Sequence, residues 1–119
     1  MPSDSRHVSE HIDRPAEEVY AYASDPDHLR AWAEGLRPDD RVEFAPRNPF
    51  GVLDHLVTTA SGATVAVPMR VLPDGDGAEV VFTVRRLPGM TDEDLDRDVG
   101  LVAADLATLK RLLESPPPS

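Results

Sequence analysis

The segment that precedes the C-terminal tail constrains the fold of this 119-residue chain more than any other. Thr91 followed by three acidic residues is typical of a helix start, and Lys110 and Arg111 lie near the opposite, negative end. Between them, apolar residues recur at alternating spacings of four and three, at Leu95, Val99, Val102, Leu106, Leu109 and Leu113. This spacing predicts a helix of about five turns. Its apolar stripe has to be buried, so the rest of the chain must supply a cover.

The middle of the chain alternates apolar and polar residues, a pattern that is typical of antiparallel strands. Ser61-Gly62 suits a two-residue hairpin turn. With those two residues as the loop, Leu56 lies opposite Val67 and Asp54 lies opposite Met69. This register directs the Asp54 carboxyl toward the apolar face of the predicted sheet.

A second hairpin, with a four-residue loop at 74–77, sets Phe82 opposite Met69. The two registers agree on one apolar face, made of Val52, Leu56, Val65, Val67, Met69, Val71, Val80, Phe82 and Val84. His55 and Arg70 fall on the polar face, although a register slip of one residue would bring both inside. A sheet with one apolar face is predicted to be antiparallel, and the C-terminal helix is the element that covers it.

The first third of the chain predicts one strand and two short helices. Residues 6–12 suit a strand, Pro15 fits the first position of a helix, and Asp25-Pro26 starts a second helix that ends near Trp32. The chain is therefore expected to form a single α+β domain over 6–114. Residues 1–5 are expected to be a flexible N-terminus, and 115–119 a Pro-rich disordered tail.

Composition excludes several classes of function. Lys and Arg total 12 against 22 Asp and Glu, a formal charge of −10, so we expect no nucleic-acid partner. The absence of cysteine excludes disulfides and thiolate zinc sites, and the four histidines show no metal-binding pair. No phosphate loop or dinucleotide fingerprint is present, so no cofactor is expected. Without a signal peptide or a long apolar run, we expect a cytoplasmic protein with no membrane span.

Three groups of residues resemble a known superfamily. Residues 12–20, with Pro15-Ala16-Glu17-Glu18-Val19, then Ser24-Asp25-Pro26 and Trp32, are similar to the opening pattern of START-like (SRPBCC) proteins. Residues 105–114 resemble its closing helix, and 48–55 with Pro68-Met69-Arg70-Val71 resembles a bacterial subgroup of small members. The superfamily includes polyketide cyclases and plant allergen-type lipid carriers. The resemblance implies a helix-grip fold, in which a curved antiparallel sheet wraps around the long C-terminal helix. An apolar ligand is expected to bind in the space between the sheet and the helix.

The chain departs from that pattern at one place. Family members usually carry two strands after the tryptophan, but only nine residues separate Trp32 from Val42. Nine residues are too few for a hairpin of ordinary strand length. We therefore expect five or six short strands, two short helices between the first two of them, and a smaller or more open cavity.

The function expected from these features is the binding of a small hydrophobic or aromatic molecule between the sheet and the C-terminal helix. The residues expected to contact it are Tyr22, Trp32, Asp54, Leu56, Val67, Met69, Phe82, Val99, Val102 and Leu106. Asp54 is the candidate catalytic or polar-contact group, because a carboxyl that faces an apolar cavity has a raised pKa. The other interpretation of Asp54 is a strand-end carboxylate that is solvated or accepts backbone N–H bonds.

Two other functions remain open from the sequence. One is a polyketide cyclase or dehydratase that uses Asp54 as its acid or base. The other is a protein-interaction module without an enclosed ligand, in which a shortened sheet leaves an edge for another chain. The expected state is a monomer or a homodimer.

Overall fold

The computed structural model describes residues 4–115. Within that range the elements are β1 (Ser5–Ile12), α1 (Ala16–Ala23), a 3-10 turn (Pro26–His28), α2 (Leu29–Trp32), β2 (Arg41–Phe44), β3 (His55–Thr58), β4 (Thr64–Val67), β5 (Met69–Asp74), β6 (Gly77–Arg85) and α3 (Asp92–Glu114). The expected flexible residues 1–3 and tail residues 116–119 lie outside the described part. Strand β1 begins at Ser5, one residue before the expected domain boundary.

The α+β architecture and the long C-terminal helix are confirmed, with short helices between β1 and β2. The strands form two antiparallel three-stranded sheets, in the orders β1-β6-β5 and β2-β3-β4, rather than one continuous sheet. Helix α3 packs on β1 and β6 of the first sheet. The break falls at Pro68, between β4 and β5, because proline has no backbone N–H to continue a ladder. One isolated bridge, Val52 with Arg70, connects the segment before β3 to β5.

The second predicted hairpin register is confirmed and the first is wrong. Met69 pairs with Phe82, as expected, but His55 rather than Leu56 pairs with Val67. The turn explains the error. The Thr59 N–H donates to the carbonyl oxygen of Ala63 over 2.9 Å, which leaves a three-residue loop at 60–62 instead of two residues. Gly62 is the last loop residue and has a φ of +90°, the conformation that such a loop requires of its third position.

A slip of one residue exchanges the two faces of a strand, because side chains alternate along it. Leu56, expected to face the cavity, is 42% exposed, and His55 turns inward. Arg70 stays on the surface, since the register of its own strand against β6 is the predicted one.

Helix α3 follows the predicted pattern closely. Thr91 and Asp94 form a reciprocal capping box at its start. At its end the Glu114 carboxylate accepts the Asp13 N–H over 2.8 Å, and the carbonyl oxygen of Leu113 accepts Arg14 Nε over 2.9 Å. The best-buried residues of the stripe are Leu95, Leu106 and Leu109, each at most 1% exposed.

No helix among residues 4–115 is both long and apolar enough to cross a bilayer.

Candidate functional site

A cavity of about 310 Å³ lies between α3 and the sheets. Its apolar walls come from α2, β2, β3, β4, β6 and α3, through Leu29, Trp32, Ala33, Leu36, Val42, Val57, Val65, Val67, Phe82, Val84 and Val102. Leu87 and Leu101 also line it and are 40% and 50% exposed, so they form its rim. This volume is at the lower end of the range for small-molecule sites.

His55 is one of the polar residues that line the cavity. Its Nδ1 lies 2.8 Å from the carbonyl oxygen of Leu53. A carbonyl oxygen only accepts, so Nδ1 carries the proton and Nε2 of the neutral ring carries the lone pair. The ring packs beside Phe44 and Phe82, with centroid distances of 5.3 and 6.0 Å. Burial lowers the pKa of His55, and this outweighs the opposing effects of the Leu53 carbonyl and the Asp54 charge.

Trp32 supplies a donor that has no acceptor. The residue lies on α2, lines the cavity and is 2% exposed. Its indole Nε1 is buried and has no hydrogen-bond partner among residues 4–115. Because a buried indole N–H usually finds an acceptor, this unpaired donor is an exception among the described residues.

Acidic groups dominate the charged side chains around the cavity. Asp40, Asp98 and Asp105 contribute to its lining, and Arg85 is the one basic lining residue within the described range. Partial burial raises the pKa of Asp105, although the backbone N–H groups of Gly35 and Glu34 favour its charged form. An anionic ligand would therefore enter a site of its own sign.

The cavity contains four of the ten residues expected to contact a ligand, namely Trp32, Val67, Phe82 and Val102. The other six are placed elsewhere. Met69 and Leu106 belong to the solid core, 0% and 1% exposed. Tyr22 stacks on His28 at a centroid distance of 4.1 Å. Val99 is half-buried on α3 beyond the cavity lining, and Leu56 is exposed.

Asp54 is the main correction to the expected site. It lies outside the cavity, where its Oδ1 accepts the Met69 N–H over 2.9 Å and pairs with the Arg70 guanidinium. The Met69 N–H directly follows Pro68, where the chain passes from one sheet to the other, so the carboxylate replaces a ladder partner at this corner. This is the strand-end arrangement that the sequence left open as the alternative.

The loop before β3 sets the position at which that strand begins. Asn48 Oδ1 accepts the N–H groups of Phe50 and Val52, each over 3.0 Å, and its own N–H donates to the Tyr20 hydroxyl. Gly51 has a φ of +72°, and its carbonyl oxygen accepts the Val71 N–H over 2.8 Å. These bonds anchor the loop to α1 and β5 and thereby fix the start of β3 at His55.

The sequence contained a signal for two residues that the prediction missed. Asp98 precedes Val102 by four positions and Asp105 follows it by three, so the helical period places both beside a cavity residue. For His55 the signal was the alternative strand register, shifted by one residue, which turns its side chain toward the inner face.

No group of three or more His, Asp or Glu that could hold a metal occurs within residues 4–115.

Several solved structures share this fold. CalU16 from Micromonospora echinospora superposes with a TM-score of 0.73 at 17% identity, over 98% of this chain and 78% of its own. An AHSA1-like protein from Rhizobium etli has a TM-score of 0.66 at 20% identity, over 98% and 86% of the two chains. DynU16, from the dynemicin biosynthetic locus, has a TM-score of 0.74 at 16% identity over 96% of this chain, which spans about half (48%) of DynU16.

Neither a protein-family model nor a curated protein sequence matches the chain. At identities of 20% or less, the structural likeness describes the fold and not the activity. It agrees with the element order, the capped C-terminal helix and the antiparallel sheets described above. The chain therefore has the helix-grip fold of these solved structures.

Proposed function

We propose that this protein binds a small apolar or aromatic molecule in the cavity between α3 and the sheets. The observation that carries the proposal is the cavity itself, about 310 Å³ lined mainly by aliphatic side chains and Phe82. A solid core in the same place would leave no room for a guest, and an open polar groove would give it no apolar surface to bury.

The energetics favour a compact ligand. Burial of about 300 Å² of apolar ligand surface contributes about 7.5 kcal/mol, before the cost of lost translation and rotation. That cost is several kcal/mol, so apolar contact alone gives modest affinity. The polar groups of the wall then decide which apolar molecules bind well.

Other parts of the proposal rest on separate observations. DynU16, which shares the fold, comes from a biosynthetic locus, and this agrees with a metabolite as the ligand. A cytoplasmic location and a monomeric or homodimeric state complete the proposal. The charge of −10 makes the surface a poor partner for nucleic acid.

The test uses N-phenyl-1-naphthylamine, a neutral apolar fluorophore. Trp32 is the single tryptophan and lies in the cavity wall, so energy transfer from Trp32 reports a probe bound to the protein, and loss of transfer in a cavity-lining variant assigns the probe to the cavity. We expect saturable probe fluorescence with energy transfer from Trp32. Val102→Phe, which fills the cavity from α3, is expected to abolish both signals.

Val99→Phe is the matched control, because Val99 lies one turn earlier on the same helix and does not line the cavity. Val65→Phe fills the cavity from the opposite wall and replaces Val102→Phe if that variant fails to fold. Equal probe binding by the wild type and both filled variants would overturn the proposal. A solution mass of twice 13.0 kDa with no probe uptake would favour the interaction module instead.

The lone pair of His55 Nε2 favours one second function, proton transfer from a bound substrate. A base at this position takes a proton from a carbon beside a carbonyl, and the electron pair moves to the carbonyl oxygen to give an enolate. His55 would then replace Asp54 in the cyclase or dehydratase alternative.

Deuterium exchange at the acidic carbon of 2-tetralone tests this second function. Accelerated exchange in the wild type and in Asp54→Asn, with loss in His55→Phe, is the expected pattern. Exchange at the buffer rate in the wild type would reject it.

A further inference from the structure

Strand β1 forms an open edge of the first sheet. Among the described strands the order is β1-β6-β5, so β1 has a neighbour on one side only. At the opposite edge a loop covers β5, because the Val71 N–H donates to the Gly51 carbonyl oxygen and the Leu53 N–H donates to that of Met69. No segment within residues 4–115 covers β1 in this way. An eight-residue strand with one side unpaired is a template for another strand.

The register shows which backbone groups of β1 point outward. It continues to Asp4, whose carbonyl oxygen accepts the Arg86 N–H over 2.9 Å, so the even-numbered residues of β1 exchange hydrogen bonds with β6. Lys110 Nζ donates to the His11 carbonyl oxygen over 2.7 Å on the other side. The N–H and C=O groups that point away from β6 therefore belong to the odd-numbered residues Ser5, His7, Ser9 and His11.

Helix α3 runs beside β1 and leaves room at its middle. Arg6 pairs with Asp96 near one end of this contact, and Lys110 reaches the β1 backbone near the other. Asp96 and Lys110 are fourteen residues apart, about four helical turns, so both lie on one line of the helix. Ala103 is midway along that line and is exposed. A small exposed side chain at this point leaves space beside β1 for a second strand.

The charges of β1 favour a second copy of the same strand. Arg6, Val8 and Glu10 alternate with the odd-numbered residues and share one face. Residues that lie opposite each other in an antiparallel pair have the same hydrogen-bonding direction, so only registers that match odd with odd positions are allowed. The register centred on Val8 is allowed, and it sets Arg6 of each copy opposite Glu10 of the other.

The two neighbouring registers lack this complementarity. A pairing centred on His7 would set Asp4 against Glu10, which are like charges, and like charges directly opposite each other are destabilising. A pairing centred on Ser9 would set each Glu10 against Val8, without an ion pair. The charge pattern therefore selects one register.

We propose that two copies of this protein associate through their β1 strands, antiparallel and centred on Val8, so that the two three-stranded sheets join into one. His7 and Ser9 then exchange backbone hydrogen bonds, and each Arg6–Glu10 pair occupies a non-hydrogen-bonded position, where side chains lie closest. The present contact of Arg6 with Asp96 spans 3.5 Å between exposed side chains and holds Arg6 weakly. The inference is independent of the ligand, because none of the described β1 residues lines the cavity.

Sedimentation equilibrium over a concentration series tests the dimer. At an ionic strength of about 0.15 M, charges more than about 8 Å apart are largely screened, so the net charge of −10 opposes association less than it would at low salt. A contact limited to one strand edge gives a weak dimer, so we expect the mass to rise with concentration from 13.0 kDa toward twice that value.

Charge reversal assigns the dimer to this edge. Arg6→Glu gives two acidic pairs and Glu10→Lys gives two basic pairs, so each variant alone should associate about tenfold more weakly than the wild type. In a mixture of the two variants, every acidic position faces a basic one. The mixture should therefore form a heterodimer about as strongly as the wild type forms its homodimer.

Two further variants complete the design. Arg37→Glu changes the net charge as Arg6→Glu does, at an exposed residue outside β1, and should leave the association as in the wild type. Ser9→Pro removes an N–H that points away from β6, so the ladder within the sheet is kept while the dimer loses hydrogen bonds. This variant should also associate more weakly, and it decides the question if a charge variant does not fold.

Several results would overturn the inference. A mass that stays at 13.0 kDa up to about 1 mM protein would do so. A dimer that Arg6→Glu and Ser9→Pro leave unchanged would place the contact elsewhere, and equal weakening by Arg37→Glu would assign the effect to net charge. A mixture no stronger than the single variants would reject the register. None of these results affects probe binding in the cavity, and loss of probe binding with an intact dimer overturns the proposed function alone.

Discussion

The carbonyl oxygen of Leu53 accepts a hydrogen bond from His55 Nδ1 over 2.8 Å, two residues along the same segment. Leu53 is 1% exposed, and its own N–H donates to the Met69 carbonyl oxygen over 2.9 Å, so the acceptor is held in place by the core. The ring orientation of His55 is therefore set by backbone that belongs to the fold. The free Nε2 is a consequence of that orientation.

The first prediction concerns the protonation state of His55. Burial lowers its pKa below the ordinary value of 6.5, so the ring should be neutral at pH 7 with its proton on Nδ1. Long-range proton–nitrogen correlation spectra recorded across a pH titration distinguish the two neutral tautomers. The signal that is absent from His55→Phe identifies the residue. A proton on Nε2, or a pKa above 6.5, would contradict the geometry.

A second prediction links that pKa to stability. Because the His55 pKa is lower in the folded state than in the unfolded chain, the unfolded state binds more protons as the pH falls through 6.5. The contribution of His55 to the free energy of unfolding should therefore decrease on acidification. Urea unfolding from about pH 8 to about pH 5 measures this decrease. The stability of the wild type relative to His55→Phe should shrink as the pH falls, and a difference that grows would refute the link.

The third prediction separates a structural role of Asp54 from a role in the site. Asp54→Ala should lower the free energy of unfolding by about 1–3 kcal/mol, because the Met69 N–H loses its acceptor. Asp54→Asn keeps an acceptor oxygen and should cost less. Both variants should bind N-phenyl-1-naphthylamine as the wild type does.

Asp39→Ala is the control for the loss of one negative charge, since Asp39 is exposed. It should change stability by less than about 0.5 kcal/mol. Loss of probe binding in a folded Asp54→Asn protein would contradict this prediction and would mean that the Asp54 carboxylate contributes to the ligand site.

The fourth prediction compares two glycines with positive φ. At Gly51 a side chain would overlap the carbonyl oxygen of Val71, whereas at Gly62 it would meet open space. Gly62→Ala should therefore cost about 1 kcal/mol, the strain of the backbone conformation alone. Gly51→Ala should cost about 3 kcal/mol, because the clash adds to the same strain. Thermal and urea unfolding of both variants check this order, and equal costs would mean that the loop relaxes without loss.

The local signals of the chain were sufficient for its elements. The capping pattern at Thr91 and the apolar spacing up to Leu113 predict α3 because both are properties of a helix with its nearest neighbours. The same holds for the β5–β6 register and for the start of α1, where Pro15 is the N-cap rather than the expected first helical residue. The resemblance to START-like proteins, carried by motifs along most of the chain, led to the correct fold.

The candidate site was only partly predictable. Trp32, Phe82 and Val102 line the cavity, as their patterns suggest. His55 lines it in place of Asp54, because the β3–β4 loop is one residue longer than expected and shifts the register of β3. Hairpin loops of two and of three residues are both common, and Ser61-Gly62 is compatible with either. The choice between them depends on which face of β3 packs inward, and that is not a local property.

What the sequence by itself determined is therefore the list and order of elements and the overall negative charge, since periodicity, capping and turn residues act over a few positions. The fold followed from the resemblance of its motifs to those of START-like proteins. What only the tertiary structure decided is the break between the sheets, the cavity that lies beside it, and the inward position of His55. These depend on contacts between residues far apart in the chain, such as Leu53 with Met69 and Asp54 with Arg70, and no local pattern encodes the outcome of that packing.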